Sequence, residues 1–224
     1  MAPYSAEADL SAAPAASPWW YRRRFLTIGC VYGAGFFFGN LLTGMLGGRP
    51  PEPAFIVWGK ALGPDGHRVL LVAMVVAALA AWALRAWGGA YLRPEVVWNA
   101  DALGDRLLVD GPFRFVRNPL YLGNVLLAAG VGLLAPPLGF ALIVGGNIWI
   151  VLGLMQVETA LLRARYGPAF DAYAAAVPAL IPRLTPAPVA GAGRAAPSLA
   201  LGLRSELYSA ALALSLIAFA FARW

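Results

Sequence analysis

The fold class the sequence predicts is an all-α integral membrane protein with about five transmembrane helices. Three observations predict it. Of 224 residues, 60% are hydrophobic and only 12% charged, where a soluble domain carries about 25% charged residues. Five apolar windows recur along the chain: Phe25–Leu46, Val69–Trp87, Leu120–Leu134, Leu138–Met155 and Leu207–Phe221. With the N-terminus inside, only Arg49, Lys60, Arg68 and Arg223 of the 17 basic residues fall on the outer side, as cytoplasmic enrichment of Lys and Arg requires. The net charge of +6 is then a matter of topology and of anionic lipid headgroups, and calls for no nucleic acid.

Residues 1–18 are rich in Ala, Pro and Ser without periodicity and predict a disordered cytoplasmic tail. Residues 19–183 follow as the membrane core, beginning with a Trp-Trp-Tyr cluster at 19–21 suited to the headgroup region. The run "RRRFLTIGC" superficially resembles a twin-arginine signal or a lipoprotein cleavage site. Only Phe25–Gly29 separates the arginines from Cys30, too short for a signal core, and no A-x-A site follows Leu46. Phe25–Leu46 is therefore read as a retained first span. Cys30 is the sole cysteine, which excludes an internal disulfide. The outer loop from about Gly47 to Arg68 holds the sole histidine, His67, and no second His or Cys has metal-ligand spacing.

Val69–Trp87 meets the roughly 17-residue minimum of a span. The cytoplasmic segment Gly88–Asn118 is long for a connector, and such loops tend to carry function. Asp110-Gly111-Pro112 is a turn, and Arg117-Asn118 precede Pro119 at the first turn of a helix. Leu120–Leu134 is short and ends at Pro136-Pro137, so it reads as one arm of a tight hairpin with Leu138–Met155. Behind it Leu161, Leu162, Tyr166, Phe170, Tyr173 and Val177 recur at helical spacing, interrupted at Gly167-Pro168. Such a helix suits a membrane surface. Residues 184–198 read as a Pro/Ala/Gly linker, and residues 199–224 as a C-terminal transmembrane helix, Leu199 being its earliest start.

The hairpin brings the two charged segments together. Arginines and a helix N-terminus would meet an anionic group, Glu158 a hydroxyl or cation, and Phe and Tyr rings would stack. That is a pocket at the cytoplasmic face. No glycine-rich phosphate loop, nucleophile elbow or metal triad is present. On composition alone, arginines anchoring helix ends and an interfacial aromatic belt would account for the same residues.

The ordered pair of motifs says more. "GPFRFVRNPLYLG" resembles the G-x-Y-x-x-x-R-H-P-x-Y-x-G element of isoprenylcysteine carboxyl methyltransferases and their relatives, the phospholipid N-methyltransferases. "ETALLRARYGPAFDAYAAAVPALIP" resembles their second element, E-E-x-x-L-x-x-x-F-G-x-x-Y-x-x-Y with a hydrophobic-Pro ending. The pair covers about Asp105 to Pro182. The resemblance implies S-adenosyl-L-methionine-dependent methyl transfer, without a Rossmann fold, to a lipophilic small molecule or lipid entering from the bilayer. It implies cofactor contacts at Asp105, Arg106, Leu107, Leu108, Phe113, Asn118, Pro119, Leu120, Tyr121 and Glu158. Arg117 and Glu158 are the residues expected to act in catalysis.

Three departures from the pattern matter. Asn118 stands where the family has His, Thr159 where it has a second Glu, and Leu154 where the isoprenylcysteine enzymes place a substrate-binding Arg. The last change disfavours a carboxyl acceptor more than it disfavours methyl transfer. Two other readings remain: an NADPH-dependent enzyme like the sterol reductases, whose terminal elements are similar but whose chains are larger, and an inactive membrane scaffold.

Overall fold

A computed structural model describes residues 19–47, 51–92, 107–193 and 195–224. The tail expected over 1–18, together with Arg49, Asp105 and Arg106, lies outside the described residues. The described residues form helices with no strand among them: α1 (Trp19–Arg22), α2 (Arg24–Gly47), α3 (Ala54–Ala61), α4 (Gly66–Gly89), a 3₁₀ turn (Gly111–Arg114), α5 (Pro119–Gly132), α6 (Pro137–Tyr166), α7 (Pro168–Ala176), α8 (Leu199–Ser205) and α9 (Leu207–Arg223).

Among the described residues, α2, α4 and α6 are long and apolar enough to cross a membrane. The pair α8 and α9, bent by 67° at Glu206, makes a fourth if counted as one span. The expected third span does not reach that length. Helix α5 has 14 residues, about 21 Å at 1.5 Å per residue, against a hydrocarbon core of about 30 Å. It stops where the chain must turn into Pro136-Pro137, and Pro137 opens α6, where its missing N–H costs nothing. Helix α6 overruns its apolar window. Its 30 residues continue past Met155 because Glu158, Ala160, Leu161, Leu162 and Arg163 all favour helix. It ends at Gly167, whose φ of +52° suits glycine.

The described residues divide into two compact units. One holds Arg24–Ala83, Tyr121–Val151 and Glu206–Trp224. Its core gathers Phe55, Leu71, Met74, Leu127, Val131 and Leu216. Helix α3 donates its first two amides, Ala54 N–H and Phe55 N–H, to the carbonyls of Ala135 (2.7 Å) and Leu133 (3.1 Å), so the turn between α5 and α6 satisfies donors a helix start leaves unpaired. Gly39 and Gly139 let α2 and α6 touch backbone to backbone: a Cβ on Gly39 would sit 2.5 Å from the Gly139 Cα. Small residues permit that approach where lipid offers no hydrophobic drive.

The other unit holds Leu84–Leu120 and Leu152–Ser205, with the described residues up to Arg23. Its core is Val109, Tyr166, Phe170, Tyr173, Val177 and Ala187, with Leu107 and Leu162 packed against it. The aromatic stripe expected to suit a membrane surface is thus the inside of this unit. This unit carries all the described candidate site residues except Tyr121.

Candidate functional site

The candidate site is built on the segment Asp110–Asn118. Gly111 adopts φ +58°, a conformation glycine tolerates, and the 3₁₀ turn Gly111–Arg114 follows with Pro112 and Phe113 buried. The chain then lies alongside the proline-rich run after α7. Arg117 N–H donates to Pro178 O (2.9 Å) and Asn118 N–H to Ala179 O (3.2 Å). In the other direction Arg183 N–H donates to Phe115 O and Ala187 N–H to Arg114 O, both at 2.9 Å. The reason is local: prolines at 178, 182 and 186 keep the strand-like run out of a helix, so its carbonyls are available to neighbours.

Side chains close the same seam. The Asn118 amide donates to Ala179 O at 2.9 Å, Arg114 Nε to Ala187 O at 3.0 Å, and the buried Tyr173 hydroxyl to Phe113 O at 2.8 Å. Asp110, itself buried, accepts from the amides of Gly193 and Ala195, the latter at 2.8 Å. Tyr173 and Asp110 are anchors that sequence reading placed only in a helical stripe and in a turn. An Asp opening a Gly-Pro turn, and a buried-phase Tyr, were the available signals.

Electrostatics single out Arg117. Its Nε is buried with no hydrogen-bond partner among the described residues, and its guanidinium lies 5.9 Å from the Phe170 ring centre. Burial lowers its pKa; the Tyr173 oxygen raises it and the Arg163 charge lowers it further. Burial holds the Tyr173 phenol well above its usual range, while the Arg117 charge pulls the other way.

The remaining candidates fall as follows. Pro119 is buried and Leu120 half-buried, and Leu120 O accepts from the buried Arg85 guanidinium at 3.1 Å. Leu107 packs on the aromatic core, and Leu108 is half-buried. Glu158 is half-buried on α6. It shares a face with Leu154, Leu162 and Tyr166 at the four-residue spacing that aligns helical side chains, about 12 Å along the axis from Tyr166. Leu154 is wholly buried, so the position where relatives carry a substrate arginine is here an apolar contact. Tyr121 belongs to the unit that contains α2 and α3.

The arrangement can hold an anion or amide-recognising group at Arg117 and Asn118, beside the Phe170 ring. The phospholipid methyltransferase family model matches residues 66–169. This stretch is similar to that family. No curated protein and no solved structure matches the chain. The similarity suggests a methyltransferase working on a lipid-like substrate. The match contains the whole first motif and stops at Ala169, short of Tyr173, Pro178 and Ala179, whose contacts hold that motif in place.

Proposed function

We propose that the protein transfers a methyl group from S-adenosyl-L-methionine to a lipophilic acceptor that arrives through the bilayer. The observation that carries this reading is the seam between the two family elements: Arg117, Asn118 and Phe113 of the first are bonded to Pro178, Ala179 and Tyr173 of the second. Two motifs far apart in sequence become one rigid surface.

The residues fit the cofactor. Asn118 spends one amide hydrogen on Ala179 and keeps its second hydrogen and its carbonyl for a ligand. The buried Nε–H of Arg117 lacks an acceptor among the described residues and suits a carboxylate. Glu158 suits an ammonium or a ribose hydroxyl. The backbone amides of Arg117 and Asn118 are committed to the seam, and Pro119 has none, so these side chains carry the recognition. When bound, the cofactor supplies an electrophilic methyl on a sulfonium. The protein's part is to orient the partners in line and exclude water, which supplies much of such a rate enhancement. A general base is needed only for a protonated acceptor, a role proposed for Glu158. With the charge asymmetry of the chain, the pocket opens to the cytoplasm.

Calorimetric titration of the purified protein in detergent with S-adenosylhomocysteine and, separately, NADPH tests the reading. Binding of the first, weakened in Asn118→Ala and Glu158→Ala, is expected. Binding of NADPH alone, or of neither, would overturn it.

A further inference from the structure

Two guanidiniums meet at one phenylalanine. Arg117 lies 5.9 Å and Arg163 6.0 Å from the Phe170 ring centre. We propose that Arg117 and Arg163, gathered at Phe170, form a binding site for an oxyanion of the phosphate or carboxylate class. The site goes beyond methyl transfer, because Arg163 lies at a position the family pattern leaves open and oxyanion binding can occur without any reaction.

Like charges brought together repel, and the ring offsets only part of that, since a cation over an aromatic face gains modestly and satisfies no N–H donor. Arg163 has a carboxylate partner, Asp171, whose Oδ1 accepts from Nε at 2.7 Å. That bond leaves the two terminal nitrogens of Arg163 for a further acceptor. Arg117 pairs with no carboxylate among the described residues, and its buried Nε–H is without an acceptor there. The Arg163 charge also pushes the Arg117 pKa down, in the same direction as burial. Tyr173 opposes that shift only when ionised; burial favours its neutral phenol, whose proton is given to Phe113 O. An oxyanion would supply both missing things: negative charge between the arginines and lone pairs for planar N–H forks that match carboxylate and phosphate geometry. Two sources share that chemistry, the phosphodiester of a phospholipid and the carboxylate of the cofactor's amino-acid end.

The test is binding to the full-length protein in neutral detergent. Each charged probe is paired with a neutral counterpart: short-chain phosphatidylglycerol with diacylglycerol of the same chain length, and S-adenosylhomocysteine with 5′-methylthioadenosine. Arg163 is exposed and its ion pair with Asp171 lies at the surface, so Arg163→Gln is expected to keep the fold. It is expected to weaken a charged probe by about tenfold or more while sparing its neutral partner, as loss of a charge-assisted hydrogen bond does. Asp171→Asn breaks the ion pair yet keeps the arginine, so it should strengthen the same probe; a merely structural role for the pair would give the opposite sign. Loss confined to phosphatidylglycerol identifies a lipid headgroup, and loss confined to S-adenosylhomocysteine identifies the cofactor carboxylate. Unchanged affinity of both charged probes in Arg163→Gln overturns the proposal. If S-adenosylhomocysteine binds no form of the protein, the methyl-transfer reading fails, while the phospholipid arm still decides the oxyanion site.

Discussion

Tyr173 shows how much of this site hangs on single side chains. Its hydroxyl is buried and donates to Phe113 O, so Tyr173→Phe leaves a buried carbonyl short of a donor, at a cost of about 1–3 kcal/mol. The expected readout is a lower unfolding temperature in detergent, and an unchanged temperature would mean the bond contributes nothing. The same residue sets a pH dependence. Its folded-state pKa is raised by burial above the unfolded value of about 10. The folded protein therefore keeps a proton that the unfolded chain releases, and stability is full below about pH 10 and declines as pH rises beyond it. A thermal-stability profile from pH 8 to about pH 11 should fall off at its alkaline end, and fall less in Tyr173→Phe. Equal alkaline losses in the two proteins would remove Tyr173 as the cause.

At the scale of elements, the sequence made the helices legible where composition and punctuation agree. Gly167-Pro168 marked the break between α6 and α7, and Pro136-Pro137 the turn before α6. What it could not show is where a helix outlives its apolar stretch. Hydropathy ends near Met155, but helix propensity does not, and α6 runs on to Tyr166. Close approaches were equally hidden, since a glycine in a span reads the same whether or not another helix touches it. Gly39 and Gly44 sit on one helix, yet a Cβ on Gly39 would strike the Gly139 backbone while one on Gly44 would meet nothing within 4 Å. Gly39→Ala should therefore destabilise by about 1–3 kcal/mol through overpacking, whereas Gly44→Ala should be neutral or gain up to about 1 kcal/mol from helix propensity. Thermal unfolding of both variants decides it; equal shifts would mean that α2 and α6 are not in contact there.

At the scale of the whole molecule, the motif residues were legible and their supports were not. Arg117, Asn118 and Glu158 stand at recognisable spacings, but Ala179 and Ala187 carry no chemistry in a sequence and Asp110 reads there only as part of a turn; they matter because extended, proline-fixed backbone presents carbonyls and because buried Asp110 gathers two amides. The sidedness of the site rests on charge alone, and it can be read directly. Helix α6, about 45 Å long at 1.5 Å per residue, exceeds a core of about 30 Å and ends with Arg163 and Arg165, so in the proposed orientation, argued from cytoplasmic preference for arginine, that end is inside. The same orientation expects Leu62, exposed after α3, to lie outside. With native Cys30 replaced by Ser, single cysteines at Leu62 and at exposed Ala164 should react with a membrane-impermeant maleimide from opposite sides: Leu62→Cys in intact cells, Ala164→Cys only after the membrane is opened. Labelling of Ala164→Cys in intact cells would put the arginine cluster on the outer face, away from any cytoplasmic methyl donor, and would refute the proposed reaction.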